Sequence, residues 1–181
     1  MPKFNQKRIC PLKKILWMFM GMGGLGMLLL FPGCGSQGSK GIEEPMQEPV
    51  FSHEANLQLI KRIEPDSLIE LAVELAITEV EQRQGLMYRR HMEADQGMLF
   101  IFNKPEPRSF WMRNTYIPLD ILYIDENQRI VSIHENLMPL YSRQVPSFKP
   151  AQYVLEVVGG FCADHGIQVG DSFSYQPLNP S

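Results

Sequence analysis

Hydrophobic residues follow three rhythms along this chain. From Ile15 to Pro32 they run together without a single charge. From Gly35 to about Phe51 they thin out among Gly, Ser, Gln, Glu and Pro. From about Pro65 onward they return in short stretches broken by Gly, Pro, Asn and Asp. Ile69, Leu71, Val73 and Leu75 alternate with Glu70, Ala72, Glu74 and Ala76, a period of two that predicts a strand with one buried face. Thr78 and Glu81 form a T-x-x-E capping box for a short helix, and Gly85 is placed to end it. Met98 to Phe102 is apolar on both faces and predicts a central strand.

Pro105 and Pro107 predict a loop over Asn103 to Arg108, followed by a further strand from Ser109 to Met112. Leu119–Ile124 and Arg129–His134, joined through Asp125–Gln128, read as a hairpin. Asn136 to Pro150 carries three prolines and reads as a long irregular excursion of the kind that is often functional or mobile. Tyr153–Val158 predicts a strand, Gly159-Gly160 a break, the stretch through His165 a helical turn, and Ser172–Tyr175 a last strand. His53 to Ile63 reads as a short connecting element. Many short strands with one or two short helices, and no βαβ alternation, predict a mainly β, barrel- or sandwich-like domain.

The charge-free run has a cationic start, with Lys3, Lys7, Arg8, Lys13 and Lys14 before it and Gly33-Cys34 after it. A basic n-region, an apolar h-region and a small residue before the cut make a signal peptide. Leu28-Leu29-Leu30-Phe31-Pro32-Gly33-Cys34 resembles a bacterial lipoprotein box, although Phe31 stands where Leu is usual and Pro32 is atypical. The expected organisation is a leader over 1–33, lipidation at Cys34, a flexible tether over 34–64 and a folded domain over 65–178. A plain cleaved signal or a retained membrane anchor is the alternative. Gly21, Gly23 and Gly26 match G-x-G-x-x-G, but basic residues precede them and Pro-Gly-Cys follows, so no nucleotide site is read there.

Losing the leader's five positive charges takes the formal net charge from -3 to about -8. Such a body is a poor fit to nucleic acid or anionic lipid head groups, and the basic doublet Arg89-Arg90 is short. Of three cysteines, Cys10 leaves with the leader and Cys34 would carry lipid. Cys162 stands alone and reads as a buried small hydrophobe.

Several blocks then occur in order: Val73-Glu74-Leu75-Ala76; Glu81-x-Arg83-x-Gly85-Leu86-Met87-x-Arg89; Gly97-Met98-Leu99-Phe100-x-Phe102; and Phe110-Trp111-Met112-Arg113-Asn114-Thr115-x-Ile117-Pro118-Leu119-Asp120. Tyr153-Val154-Leu155-Glu156 and Gly166-Ile167-x-x-Gly170-Asp171 complete the set. The chain resembles the bacterial and archaeal family called domain of unknown function 192, over about Leu68 to Tyr175. That resemblance implies a small, mainly β domain, often exported. It brings no agreed activity, substrate or cofactor.

Arg113, Asn114, Thr115 and Asp120 mix a fixed cation, an amide, a hydroxyl and a carboxylate in one connection. With Trp111 as a stacking face they could bind a carboxylate or sugar hydroxyls. The plainer reading is that Asn114 and Asp120 hold the turn and Arg113 pairs with Glu81 or Glu156. Arg83 and Arg89 could form an anion clamp, against helix capping and surface pairing. Glu156, in an apolar strand, needs solvent or a partner, and beside an arginine it would be an acid/base candidate. Met87, Met92, Met98, Met112 and Met138 read mainly as core, and the four histidines lack metal-ligand spacing, so no metal or cofactor is expected.

The expected function is an extracytoplasmic, lipid-anchored binding or envelope-accessory module. It would meet the membrane through its leader or lipid, take a small polar ligand or envelope component, and bind no nucleic acid. A secreted form is the alternative location. The other functional readings are a hydrolase using Asp120 or Glu156 and a protein-interaction platform built on the loop from Asn136 to Pro150.

Overall fold

The computed structural model describes residues 48–178. The leader and Cys34 lie outside them. Strands β1 (Ala55–Ile60), β2 (Leu68–Ala76), β3 (Gln96–Phe110), β4 (Leu119–Ile124), β5 (Ile130–Leu137), β6 (Val145–Val158) and β7 (Ser172–Pro177) form one curled sheet in the order β5-β4-β6-β3-β2-β1-β7. Helix α1 (Glu79–Gln84) follows β2, and α2 (Phe161–His165) follows β6. The fold is mainly β, a half-barrel with two short helices.

Alternation sorts the side chains onto two faces. Leu57, Val73, Leu99, Leu122, Leu155 and Phe173 pack on one face with Phe161 and Cys162 of α2. Leu86, Met98, Phe100, Met112, Ile121 and Tyr123 pack on the other, beneath the loops after α1 and β3. Both faces of β4 are therefore covered, and all six of its residues are buried. Burying each such Leu, Ile or Phe stabilises the fold by roughly 1.5–3 kcal/mol before entropy is counted.

The two edges of the sheet meet at one end. Ile130 N–H donates to Asp171 O at 2.8 Å, and Phe173 N–H donates to Gln128 O at 3.1 Å. Buried Asp171 fixes this seam, its carboxylate accepting from Arg62 N–H and Gln168 N–H, each at 2.8 Å.

The capping box forms as its sequence dictates. Glu81 N–H donates to Thr78 Oγ1 at 3.3 Å, and Thr78 N–H donates to Glu81 Oε2 at 2.8 Å. The backbone N–H groups of Thr78 and Ile77 hold the Glu81 carboxyl below its usual range.

Four expectations need correction. Residues 55–60, placed in a tether, are β1, paired with both β2 and β7. The expected loop at 103–108 is part of β3, because Pro105 and Pro107 sit in the irregular stretch of the β3–β6 ladder, where a missing N–H costs no ladder bond. The irregular excursion is shorter than 136–150, since Val145–Pro150 already belong to β6. Finally, β2 and β3 pair in parallel, with α1 in the connection between them, so one crossover exists where none was expected.

Candidate functional site

The Trp111–Thr115 block turns over one end of the sheet. Asn114 has φ 55° and Tyr88 has φ 68°, both left-handed. Each holds the other: Tyr88 N–H donates to Asn114 O at 2.7 Å, and Asn114 Nδ2 donates to Tyr88 Oη at 2.8 Å. Thr115 is buried and its carbonyl accepts from Leu140 N–H at 3.1 Å, with Leu140 also left-handed at φ 58°. Non-glycine residues resist this conformation, so three loops brace one another here. Trp111 and Arg113 are exposed, with the Arg113 guanidinium 5.9 Å from the Trp111 ring centre. Arg113 pairs with neither Glu81 nor Glu156.

Asp120 lies beneath that end, fully buried. Its Oδ1 accepts from Asn136 N–H at 2.6 Å and Gly160 N–H at 3.0 Å, and its Oδ2 accepts from Cys162 N–H at 2.8 Å. Gly160 adopts φ 95°, which glycine reaches without Cβ strain. This carboxylate ties β5 and α2 to β4, rather than bonding within the 113–119 connection. Burial, and then the neighbouring Asp120 charge, pushes the Cys162 thiol up, so Cys162 is an inert core residue.

Glu156 pairs across the ladders with Met98 and Ile121 and so faces the second core. Asp120 is one residue along β4 from Ile121 and faces the first. The two carboxylates do not converge. Glu156 has no ion-pair partner among the described residues, and burial pushes its pKa up to about 8.

Arg89 is buried and pairs with Glu74, whose Oε1 also accepts from Ser52 N–H at 2.9 Å. Arg89 Nε is buried without a hydrogen-bond partner. Arg83 is exposed on α1 and lines a shallow hollow with Trp111 instead. The two arginines form no clamp. Met92, Met98 and Met112 are core, whereas Met138 is 71% exposed. Among the described residues no group of three or more His, Cys, Asp or Glu side chains could hold a metal ion.

A second site was not read from the sequence. A trough of about 670 Å3 lies on the outer face of β7, β1 and β2. The register builds it from two cross-strand rows, Gln176–Asn56–Ala72 and Ser174–Gln58–Glu70. The small Ala72 leaves a gap beside Asn56, and Asp95 closes one side, its carbonyl accepting from Ala72 N–H at 2.9 Å. Gln58 Nε2 donates to Glu70 Oε1 at 3.1 Å, which orients that amide. Amides, a hydroxyl and two carboxylates line the trough, and no Lys or Arg does. The signal was present: Asn56 and Gln58 alternate with Leu57 and Leu59, and Ser174 and Gln176 flank Tyr175.

The family model for DUF192, described as an uncharacterized ACR, matches residues 61–175. The chain belongs to the DUF192 family. Its fold is similar to that of a Sinorhizobium meliloti 1021 protein whose given name proposes a transcription regulator, with 38% identity, TM-score 0.66, and coverage of 70% of this chain and 97% of that one. It is also similar to a protein of unknown function from Novosphingobium aromaticivorans DSM 12444, with 35% identity, TM-score 0.62, and coverage of 66% and 83%. No curated protein matches the chain. The DUF192 match starts after β1, so Asn56, Gln58 and Gln176 of the trough lie outside it, while Glu70, Asp95 and Ser174 lie within it.

Proposed function

We propose that this DUF192 chain is an extracytoplasmic, membrane-tethered binding module whose ligand is small, neutral and rich in hydrogen-bonding groups, sugar- or peptide-like in chemistry. The polar trough on β7, β1 and β2 carries this reading. Its amides and hydroxyl offer donors and acceptors in two ordered rows, while Glu70 and Asp95 repel anions. Export rests on the basic, apolar and Gly33-Cys34 succession of the leader.

Nucleic acid suits this chemistry poorly, because phosphates need basic partners that the trough lacks. The described helices have six and five residues, too short for a recognition helix of the groove-reading kind. The hydrolytic reading, with Asp120 or Glu156 as acid/base, is less favoured, because the two face opposite sides of the sheet and neither brings the other a second carboxylate.

A thermal-shift screen of the full chain against neutral saccharides, short peptides and anionic controls tests the proposal. A ligand at a hundredfold excess over its Kd stabilises by about 2.7 kcal/mol, which such a screen resolves. The expected hits are neutral, and Gln58→Leu or Ser174→Val abolishes them. Hits confined to anions, or hits indifferent to both substitutions, would contradict it.

A further inference from the structure

Read linearly, Arg89-Arg90 is only a short basic doublet. Folding brings more cations together. Trp111, Tyr116, Met138, Leu140 and Tyr141 are 49%, 37%, 71%, 54% and 38% exposed, on loops that are hydrogen-bonded to one another through Thr115 and Leu140. The Arg90 guanidinium lies 4.8 Å from the Tyr116 ring centre, and Arg113 lies over Trp111. Arg143 is exposed two residues beyond Tyr141. The Glu48 carboxylate of the N-terminal segment accepts from Arg90 N–H at 2.6 Å and His91 N–H at 3.2 Å.

We propose that this loop end is a membrane-contacting face that sits on an anionic bilayer. Three observations support that occupant. Trp and Tyr combine an apolar ring with a polar edge, which suits the headgroup boundary. Arginines beside them match lipid phosphates in charge and geometry. The described chain also begins at this end, because Glu48 is bound to the backbone of Arg90 and His91. From Cys34 to Glu48 is fourteen residues, a span of at most roughly 50 Å fully extended. A lipid on Cys34 and the aromatic loops can therefore reach one membrane. The left-handed backbone at Tyr88, Asn114 and Leu140 holds these side chains outward in advance, so little ordering entropy is lost on contact. The trough lies on the outer face of β7, β1 and β2, and none of Trp111, Tyr116, Met138, Leu140 or Tyr141 lines it.

This inference rests on the tethered reading above, so its test separates the two. The full chain is reconstituted with zwitterionic vesicles and with vesicles carrying about a third anionic phosphatidylglycerol. Pelleting reports the anchor, and amide hydrogen exchange reports the loops. The expected result is slowed exchange at Tyr116 and at Met138–Arg143 on anionic vesicles alone, with β1 and β7 unchanged. The Arg113→Gln/Arg143→Gln variant loses that protection and still pellets. Each basic side chain at such a surface contributes roughly fivefold to partitioning, so the double variant weakens loop contact roughly 30-fold. Pelleting with both vesicle types without loop protection leaves the anchor standing and overturns the membrane face. Failure to pellet with zwitterionic vesicles overturns the anchor instead, and loop protection on anionic vesicles then still decides the face. Protection that grows with protein concentration without vesicles would assign the surface to a second copy and overturn the proposal.

Discussion

Tyr88 and Asn114 hold each other in left-handed backbone conformations through two hydrogen bonds, one backbone and one between side chains. Asn is among the few residues that adopt this conformation at modest cost, whereas Tyr does so only when its surroundings enforce it. The loop after α1 and the Trp111–Thr115 turn are thus one unit. Replacing Asn114 by Ala removes both a tolerated φ and an amide donor, and about 2 kcal/mol of stability goes with them. Tyr88→Phe removes only the hydroxyl acceptor and costs about 1 kcal/mol. Urea unfolding of the two variants checks the order.

The Asp120 carboxylate matters more, because it is fully buried and accepts from three backbone N–H groups. Asp120→Ala is expected to cost at least about 3 kcal/mol, and Asp120→Asn nearly as much, because the new amide sets donors against a donor. Unfolding midpoints measure this loss. Hydrogen exchange should show the amides of Asn136, Gly160 and Cys162 opening together.

Glu156 makes stability depend on pH. Its carboxyl is pushed up to about 8 by burial, against 4.5 in the open chain. The folded state therefore holds a proton that the unfolded state has already released. Its stabilising contribution is full below pH 4.5, falls as pH rises, and is gone above about pH 8. Thermal melts across that window should show the fall. Glu156→Gln should flatten it, matching the parent near pH 4.5 and exceeding it at pH 8.

Glu74 and Arg89 form a buried pair in which breaking and replacing have opposite outcomes. Arg89→Met alone strands a carboxylate and costs about 3–5 kcal/mol. Glu74→Leu with Arg89→Met removes both charges and the unpartnered Nε, and should restore most of that loss. A double-mutant cycle by denaturant unfolding reads the coupling.

The strands were largely legible, since their alternation is a local property of residues such as Ile69–Ala76 and Leu119–Ile124. The capping box of Thr78 and Glu81 was legible for the same reason. What escaped was set by distant partners. Residues 55–60 look like a linker until β2 and β7 flank them, and Pro105 and Pro107 look like a loop until the β3–β6 ladder bulges around them. The same holds for function. Trp111, Arg113, Asn114, Thr115 and Asp120 are neighbours in sequence, but the fold buries Asp120 and Thr115 and turns Trp111 and Arg113 outward. The trough draws each of its two rows from β7, β1 and β2 together, and register over more than a hundred residues is not written in any local pattern.

Side-chain amide NMR bears most directly on the ligand site. With a neutral saccharide or peptide found by the thermal screen, the side-chain NH2 signals of Asn56, Gln58 and Gln176 should shift together and saturate at one Kd, while the Asn114 signal stays in place. Saturable shifts at Asn114 and the Trp111 indole, with those three amides unmoved, would contradict the account.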